Sequence, residues 1–564
     1  MGNYFTENRD ILSYFQQEEM EALADLVEGD YREAEEYRWA PRSAEDAVDS
    51  WRHVLESLGG LCADFIAPRA EEVDRVGCRL DEEGAVHLAP GTAEDLDMLT
   101  RAELMGFTLP RRYGGLHMPG TIYTVAIEMV SRADASLMNL FGLQGVAETI
   151  NDFADDEIKE EYLPRFARGG VTGAMVLTEP DAGSDLQAIQ LRARQDEEGM
   201  WRLNGVKRFI TNGCGEVLLV LARSEPDRAG AMGLSLFLVD QGPAVKVRRL
   251  EEKLGIHGSP TCELQFDNTP ALLIGRRQRG LITYVMALMN GARLAVAAQA
   301  VGIAQAALES ALEYARVRKQ FGKAIIRIPP VADMLMDMTL DVEAARALVY
   351  ETSKVVDRAR AADRTGDKKE AKRLDRLAGV LTPFSKYYAG EMSIRVANEA
   401  VQILGGSGYM KDYPVERYLR DARITTIYEG TSQLQVVAAI RGITSGIVED
   451  HFRELHAGLE GSGVKGVLPT LGKAREALSG AVAFVKEEED PDYLELAARD
   501  LVDLAIHIFI GYVLAGQARD SSRKRRLLDR WMDRVSTLSS RVPEKVMDPV
   551  RTGLHDAGTI IDGG

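Results

Sequence analysis

The stretch Ile427-Tyr-Glu-Gly-Thr-Ser-Gln-Leu-Gln435 holds one carboxylate, Glu429, between Tyr428 and Gly430. It follows a glycine-rich segment, Gln402-Ile-Leu-Gly-Gly-Ser-Gly-Tyr409, by about twenty residues. A lone glutamate in a loop is ordinarily a solvated surface charge. This one stands in Tyr-Glu-Gly-Thr-Ser-Gln, behind Arg420-Asp421. What it can serve depends on the elements around it.

Upstream of the motif the chain is helical. Helices begin at about Leu281, and the alanine-rich segments 292–318 and 331–360 have the spacing of core helices in a bundle. The charged stretch 357–377, broken at Asp363-Arg-Thr-Gly-Asp367, reads as a solvated hairpin between two elongated helices. Before the bundle the texture is different. Trp201-Arg-Leu203, Arg208-Phe-Ile-Thr211, 217–221, 234–239, 245–248 and 262–266 are short β-rich runs. Turn signals at Asn204-Gly205, Asn212-Gly213 and Gly242-Pro243 separate them, which predicts a compact antiparallel β domain over 171–275. From Trp51 to about Gly170 the pattern is mainly helical, with a glycine-rich break at Arg112-Tyr-Gly-Gly115. Residues 1–50 form an acidic extension with helical spacing at Ile11, Leu12 and Phe15 and at Met20, Leu23 and Leu26. Residues 446–564 are again helical, with a glycine-rich joint at 458–466. There is no repeat of fixed period.

At 564 residues the chain can hold two to four domains, each with its own core. A net charge of −19 argues against nucleic acid, which requires a basic footprint. The four cysteines form no C-x-x-C pair and no His cluster has metal-ligand spacing, so a reduced, intracellular protein without a metal is expected. The acidic first forty residues lack the apolar core of a secretory signal and the acid-poor composition of a mitochondrial presequence. The apolar run 504–515, interrupted by His507, is too short to span a bilayer. A cytoplasmic protein is the expectation.

Four further segments carry chemistry: Val176-Leu-Thr-Glu-Pro-Asp-Ala-Gly-Ser-Asp185, Lys207-Arg-Phe-Ile-Thr-Asn212, Tyr314-Ala-Arg-Val-Arg-Lys-Gln-Phe-Gly322 and Asn290-Gly-Ala-Arg293. With the Glu429 motif they resemble the signatures of the acyl-CoA dehydrogenases, flavoenzymes that introduce a double bond between the α and β carbons of an acyl thioester. The resemblance covers roughly residues 55–445 and leaves both ends as additions. It implies an α+β multidomain fold, mainly α. A helical N-terminal domain (51–170) follows the 1–50 extension, then a middle antiparallel β barrel (171–275), a C-terminal four-helix bundle carrying the base (276–445) and an added helical domain (446–564).

The resemblance also distributes roles. Glu429 would be the base that takes the α proton, adequate only if burial and loss of water raise its proton affinity. Its backbone N–H would help bind the thioester oxygen. FAD would be the cofactor, contacted by Leu177, Thr178, Gly183, Ser184, Phe209, Ile210 and Thr211. Family members often have Trp at the position of Phe209, and without the other motifs Phe209 would read as barrel core. Arg318 would reach the flavin pyrophosphate of a neighbouring subunit, with Phe321 packed on the cofactor and Gln402, Gly405 and Gly406 completing that shared site. Thr431 and Gln433 are assigned to the cofactor as well. Substrate contacts fall to Ser184, Arg293, Tyr428 and Gly430. Some members carry the base just before the Arg293 position; here that residue is Ala292, which cannot act as one. An Asp common three residues before that Arg is Asn290 in this chain.

The implied reaction makes a trans-2-enoyl-CoA and passes electrons to an electron-transfer flavoprotein. An acyl-CoA oxidase using O₂ is the alternative enzyme, and a non-catalytic flavin-binding relative the alternative class; the intact Glu429 and the acidic charge count against the latter. The basic cluster Arg523-Lys-Arg-Arg526 invites a membrane-surface reading, but 501–514 is apolar nearly all round, as in a helix buried between others. The expectation is a homodimer whose tail covers the bundle, without membrane attachment.

Overall fold

The computed structural model describes residues 2–15, 17–519 and 521–548 and is mainly helical. The chain forms two compact units. The first comprises Met1–Leu335 and Met392–Glu429, and the second Met336–Glu391 and Gly430–Gly564.

In the first unit the helices Gly120–Ala133 and Met286–Val317 pack along one another. Gly120–Ala133 buries residues on nearly every side, because apolar residues ring it instead of forming a stripe. Among the described residues, Gly280–Val317 alone is long and apolar enough to cross a bilayer, and half of its most apolar window is buried. The acidic extension is docked on this unit. Ile11, Phe15, Met20 and Leu23 are buried while Leu12 and Leu26 face solvent, so only one edge of each predicted stripe is used. A buried ion pair between Glu28 and Arg111, 2.6 Å long, ties the extension to the chain that follows.

The β region is a closed sheet. Its strands are β1 (Gly173–Val176), β2 (Arg192–Gln195), β3 (Trp201–Thr211), β4 (Val217–Arg223), β5 (Leu234–Asp240), β6 (Val245–Leu250) and β7 (Thr261–Ile274). The pairings β4–β2–β3–β7–β5 close back on β4, while β1 flanks β4 and β6 flanks β7. Closure removes the exposed edges of those five strands. Strand β4 is buried on both faces: Leu218, Val220 and Ala222 point into the barrel core. Val217, Leu219 and Leu221 pack in a second core with Val146 and Tyr162 of flanking helices.

Two details differ from the sequence reading. The sheet is not wholly antiparallel, since β1 and β2 each pair with β4 in parallel. Asn204-Gly205 also does not turn the chain. It lies inside the continuous β3 as a register shift against β7. Gly205 has φ +145°, and a Cβ there would meet the Leu191 backbone at 3.0 Å, so glycine lets the strand bulge past its neighbour.

In the second unit the charged stretch is a helical hairpin, with one helix ending at Arg364 and the next starting at Lys368. The helix Pro491–Gln517 packs against the helices Ser432–Thr444, Ile447–Leu459, Leu468–Glu487 and Ser522–Val546. Its apolar circumference is therefore buried, as its sequence implied. The basic cluster is engaged within the unit. Lys524 Nζ lies 2.7 Å from a buried Glu343 carboxylate that Arg523 also contacts. Arg530 and Arg534 hold Asp337 at 2.9 and 2.7 Å.

One buried carboxyl generates a test of this packing. Asp95, in the helix Pro90–Arg101, is fully buried, and neither of its oxygens has a hydrogen-bond partner among the described residues. Burial, reinforced by the Asp134 carboxylate, pushes its pKa up to about 7. The unfolded chain releases this proton near pH 3.9, so this group's stability contribution declines from about pH 4 to about pH 7 and then levels off. Asp95→Asn abolishes that titration. Scanning calorimetry should show the variant melting several degrees above wild type near pH 8 and close to it near pH 4.5; equal melting near pH 8 would contradict the assignment.

Candidate active site

The Val176–Asp185 motif starts where β1 ends and turns at once, with Glu179 and Ala182 exchanging backbone hydrogen bonds of 3.0 and 3.2 Å. The Glu179 carboxylate points inward. It accepts from the backbone N–H groups of Gln190 and Leu191 at 2.7 and 2.9 Å and pairs with Lys207 Nζ at 3.0 Å. Lys207 is wholly buried; its ammonium also donates to the Leu177 carbonyl at 2.7 Å. Burial pulls its pKa down to about 8, against the opposing pull of Glu179. The Arg208 N–H donates to the Thr178 carbonyl at 2.9 Å. Leu177, Thr178 and Glu179 are thus each stitched to β3.

Beyond Lys207 the strand bulges, its pairing with β7 jumping from Lys207 to Ile210. Phe209 sits in the bulge at φ +61° and is 51% exposed. It is not barrel core. The Arg208 guanidinium covers its ring at 4.6 Å. Ile210 and Leu177 do face apolar cores, and the Leu177 carbonyl is already taken by Lys207. Thr178 and Thr211 are partly exposed, and Gly183 and Ser184 are exposed. A Cβ on Gly183 would meet only the Thr178 methyl, at 3.7 Å, so the protein itself does not require glycine there.

Glu429 closes the first unit. Its φ of +54° lies in the left-handed region that favours glycine, and Gly430 follows at +89°. Arg293 Nε donates to the Glu429 carbonyl at 3.4 Å, and its Nη1 donates to Asn290 Oδ1 at 3.1 Å. Asn290 therefore holds Arg293 as a neutral acceptor in place of a carboxylate. Burial depresses the Arg293 pKa while the Glu429 charge opposes that shift. The Tyr428 hydroxyl bonds Gln299 Oε1 and reaches Asn139 Oδ1 at 3.3 Å. Gln299 Nε2 in turn donates to Asn139 Oδ1 at 3.1 Å and to the Ala135 carbonyl at 2.9 Å. This network fixes the residue before Glu429 against two helices. Asn139 Nδ2 continues it to Ser259 Oγ at 3.4 Å, and the next residue, Pro260, accepts from the Asn212 N–H at 2.7 Å. A polar path thus joins the Glu429 loop to the end of β3.

A third group lies at the C-terminal end of the helix Met286–Val317. Arg318 follows that helix, and Lys319–Gln320 pairs with Lys323–Ala324 in a short hairpin. Phe321 and Gly322 form its tip at φ +50° and +77°, the primed-turn geometry that two-residue hairpins prefer. Phe321 is 92% exposed. Tyr314 OH reaches Ser407 Oγ at 3.4 Å, bringing the turn of Gly405 and Gly406 to the same helix end. Gln402, Gly405 and Gly406 are exposed.

The remaining candidates belong to the second unit. The Gly430 carbonyl accepts from Lys386 Nζ at 2.5 Å and Gln435 Nε2 at 3.0 Å. Thr431 caps the helix Ser432–Thr444 by accepting from the Leu434 N–H at 3.4 Å, and Gln433 is exposed. Sequence reasoning gave no role to Glu179, Lys207, Asn139 or Gln299. A signal existed for Lys207, because the period of two running from Trp201 and Leu203 turns it inward. Gln299 is one residue in an alanine-rich helix, and nothing local marks it.

Comparison with known proteins agrees with this geometry. The chain matches the models of the acyl-CoA dehydrogenase N-terminal domain over residues 49–170, the middle domain over 174–269 and the C-terminal domain over 279–444. It is 40% identical over 339 residues to an acyl-CoA dehydrogenase of Bacillus subtilis (strain 168), covering 59% of this chain and 84% of that one. Its structure is similar to butyryl-CoA dehydrogenase from Megasphaera elsdenii, 32% identical, with a TM-score of 0.61 over 69% of this chain and 96% of that one. An acyl-CoA dehydrogenase from Bacillus anthracis, solved with FAD, shares the fold at 21% identity with a TM-score of 0.77 and covers 88% of each chain. With three family domains matched in order, a relative this similar over most of its length and a barrel and Glu429 loop built as described, the chain belongs to the acyl-CoA dehydrogenase family of oxidoreductases.

Proposed function

We propose that this enzyme dehydrogenates an acyl-CoA thioester to a trans-2-enoyl-CoA with FAD as cofactor and Glu429 as the base. The observation that carries the reading is the Glu429 loop, strained at φ +54° and held from behind by Arg293 and by the Tyr428–Asn139–Gln299 network. A glutamate kept in a costly backbone conformation by its surroundings is a positioned side chain, and positioning is what α-proton abstraction requires. The acyl carbonyl would accept from the Glu429 N–H, which stabilises the developing enolate as the α proton passes to the carboxylate.

The residues present fit FAD. An exposed, strained Phe209 flanked by Thr178 and Thr211 offers an apolar face and polar edges to a flat ring, while the buried Lys207–Glu179 pair keeps both segments in place. When bound, FAD supplies the acceptor for the β hydrogen as hydride. Electron-transfer flavoprotein is the proposed recipient of the electrons. The nearly bare Phe321, with the exposed Val317 and Tyr409, supports a homodimer in which a second copy covers this end and shares the cofactor. Four free cysteines fit a reducing cytoplasm, and fatty-acid β-oxidation is the proposed setting.

Three outcomes follow. Glu429→Gln should keep the fold and the bound flavin while anaerobic flavin bleaching by acyl-CoA slows by roughly three orders of magnitude or more; unchanged bleaching would place the base elsewhere. The purified protein should be yellow with about one FAD per chain, and Lys207→Met should lose most of it, because the variant strands a buried Glu179 at a cost of about 3–5 kcal/mol. Absorbance after gel filtration checks both. Light scattering should give a mass of about 124 kDa, twice the 62.0 kDa chain, and a stable tetramer or a monomer would count against the dimer.

A further inference from the structure

Lys253 has no part in the reaction proposed above. It lies between β6 and β7 on the wall of a cavity of about 510 Å³ that also presents Cys78, Arg249, His257, Ser259 and Thr261. Its amine donates to the Ser259 carbonyl and lies 3.1 Å from Thr261 Oγ1. The neighbouring basic side chains on this wall have acidic partners: Arg249 meets Glu251 at 3.1 Å and His257 Nδ1 meets Asp74 at 2.9 Å. No carboxylate among the described residues pairs with Lys253.

Burial accordingly pulls the Lys253 pKa down to about 8, with Cys78, Asp421 and Cys262 opposing the shift. The two thiols are neutral near pH 8, which leaves Asp421 as the charge that opposes the shift. Burial pushes the Cys78 thiol up to about 11 and Asp421 up to about 7, and the buried Cys262 thiol is also raised, first by its contact with Cys214. The lysine keeps partial exposure and lines the cavity. An amine of pKa about 8 is half unprotonated near pH 8, against under about 1% for an ordinary lysine at 10.4.

We propose that Lys253 is a self-acylation site, modified by acyl thioesters that enter this cavity. The neutral amine attacks the thioester carbonyl, the carbon–sulfur bond breaks, an amide forms and the thiol leaves carrying the amine's proton. Nothing is oxidised or reduced. The choice of acyl-CoA as donor rests on the function proposed above; the nucleophile does not. The modification removes a cation and fills the cavity beside Thr261 and Cys262, which pair across the ladder with Thr211 and Ile210. An abundant substrate would in this way mark the protein one strand away from Phe209.

The test uses the purified holoenzyme and acetyl-CoA, which has no β carbon and cannot be dehydrogenated. Peptide mass spectrometry follows acetylation over about pH 7 to 9 at Lys253 and at the exposed Lys368 and Lys411. Lys253 should react at least about tenfold faster than either, with a rate that rises through about pH 8 and then levels, and Lys253→Arg should remove that label alone. Equal labelling at all three lysines overturns the proposal. Flavin bleaching by longer acyl-CoAs, measured in parallel, separates the two readings. Bleaching without selective labelling sinks the modification site and leaves the dehydrogenase, whereas selective labelling without bleaching upholds the site and sinks the dehydrogenase.

Discussion

The ion pair between Lys207 and Glu179 is the constraint on which the β side of the site depends. Both groups are withdrawn from water, and Glu179 is further saturated by two backbone N–H groups. Taking charges out of water is costly, and a buried pair seldom stabilises a protein beyond what apolar residues would achieve. Its value here is geometric. Leu177 and Glu179 both bond to Lys207, and the next residue, Arg208, bonds to Thr178. The turn after β1 and the bulge of β3 come from segments about thirty residues apart, yet they behave as one piece.

A second junction is the loop between β6 and β7. Asp421 accepts from the Ile256 N–H at 2.6 Å, Cys78 donates to the Gly258 carbonyl at 3.3 Å, and Ser259 and Pro260 connect to Asn139 and Asn212. Asp74 binds both His257 and Arg420 at this place, at 2.9 and 2.6 Å. Gly258 is obligatory, since a Cβ would approach Val73 Cγ1 to 2.3 Å. N-terminal helices, barrel and the residues leading to Glu429 therefore meet through one loop, with few degrees of freedom between them.

Much of this was legible in the chain itself. The change of period near residue 171, the helical hairpin at Asp363–Asp367 and the all-round apolar helix near the end each follow from local pattern, and the structure has them. The failures share a cause. Asn204-Gly205 carries a turn signal, but pairing with β7 on one side and the close approach of Leu191 on the other keep the strand running. Leu12 and Leu26 fit their stripes but lie beyond the docked edge. The Tyr428, Asn139 and Gln299 network joins residues up to 289 positions apart, and a partner so distant leaves no trace in local spacing. The basic run at 523–526 looked like a surface signal because its acids lie about 180 residues earlier.

Phe209, Asn212, Phe321 and Glu429 all adopt left-handed backbone conformations without being glycine. Each costs of order 1 kcal/mol that a glycine would not. Selection for heat resistance alone would therefore push these positions toward glycine, a change that relieves the backbone while deleting an aromatic ring, an amide or a carboxylate. On the function proposed above, thermal tolerance and activity are set against one another at Phe209, Phe321 and Glu429. An engineer who seeks a hardier version of this enzyme gains more from the packed helices of the second unit than from the bends where the chain looks most strained.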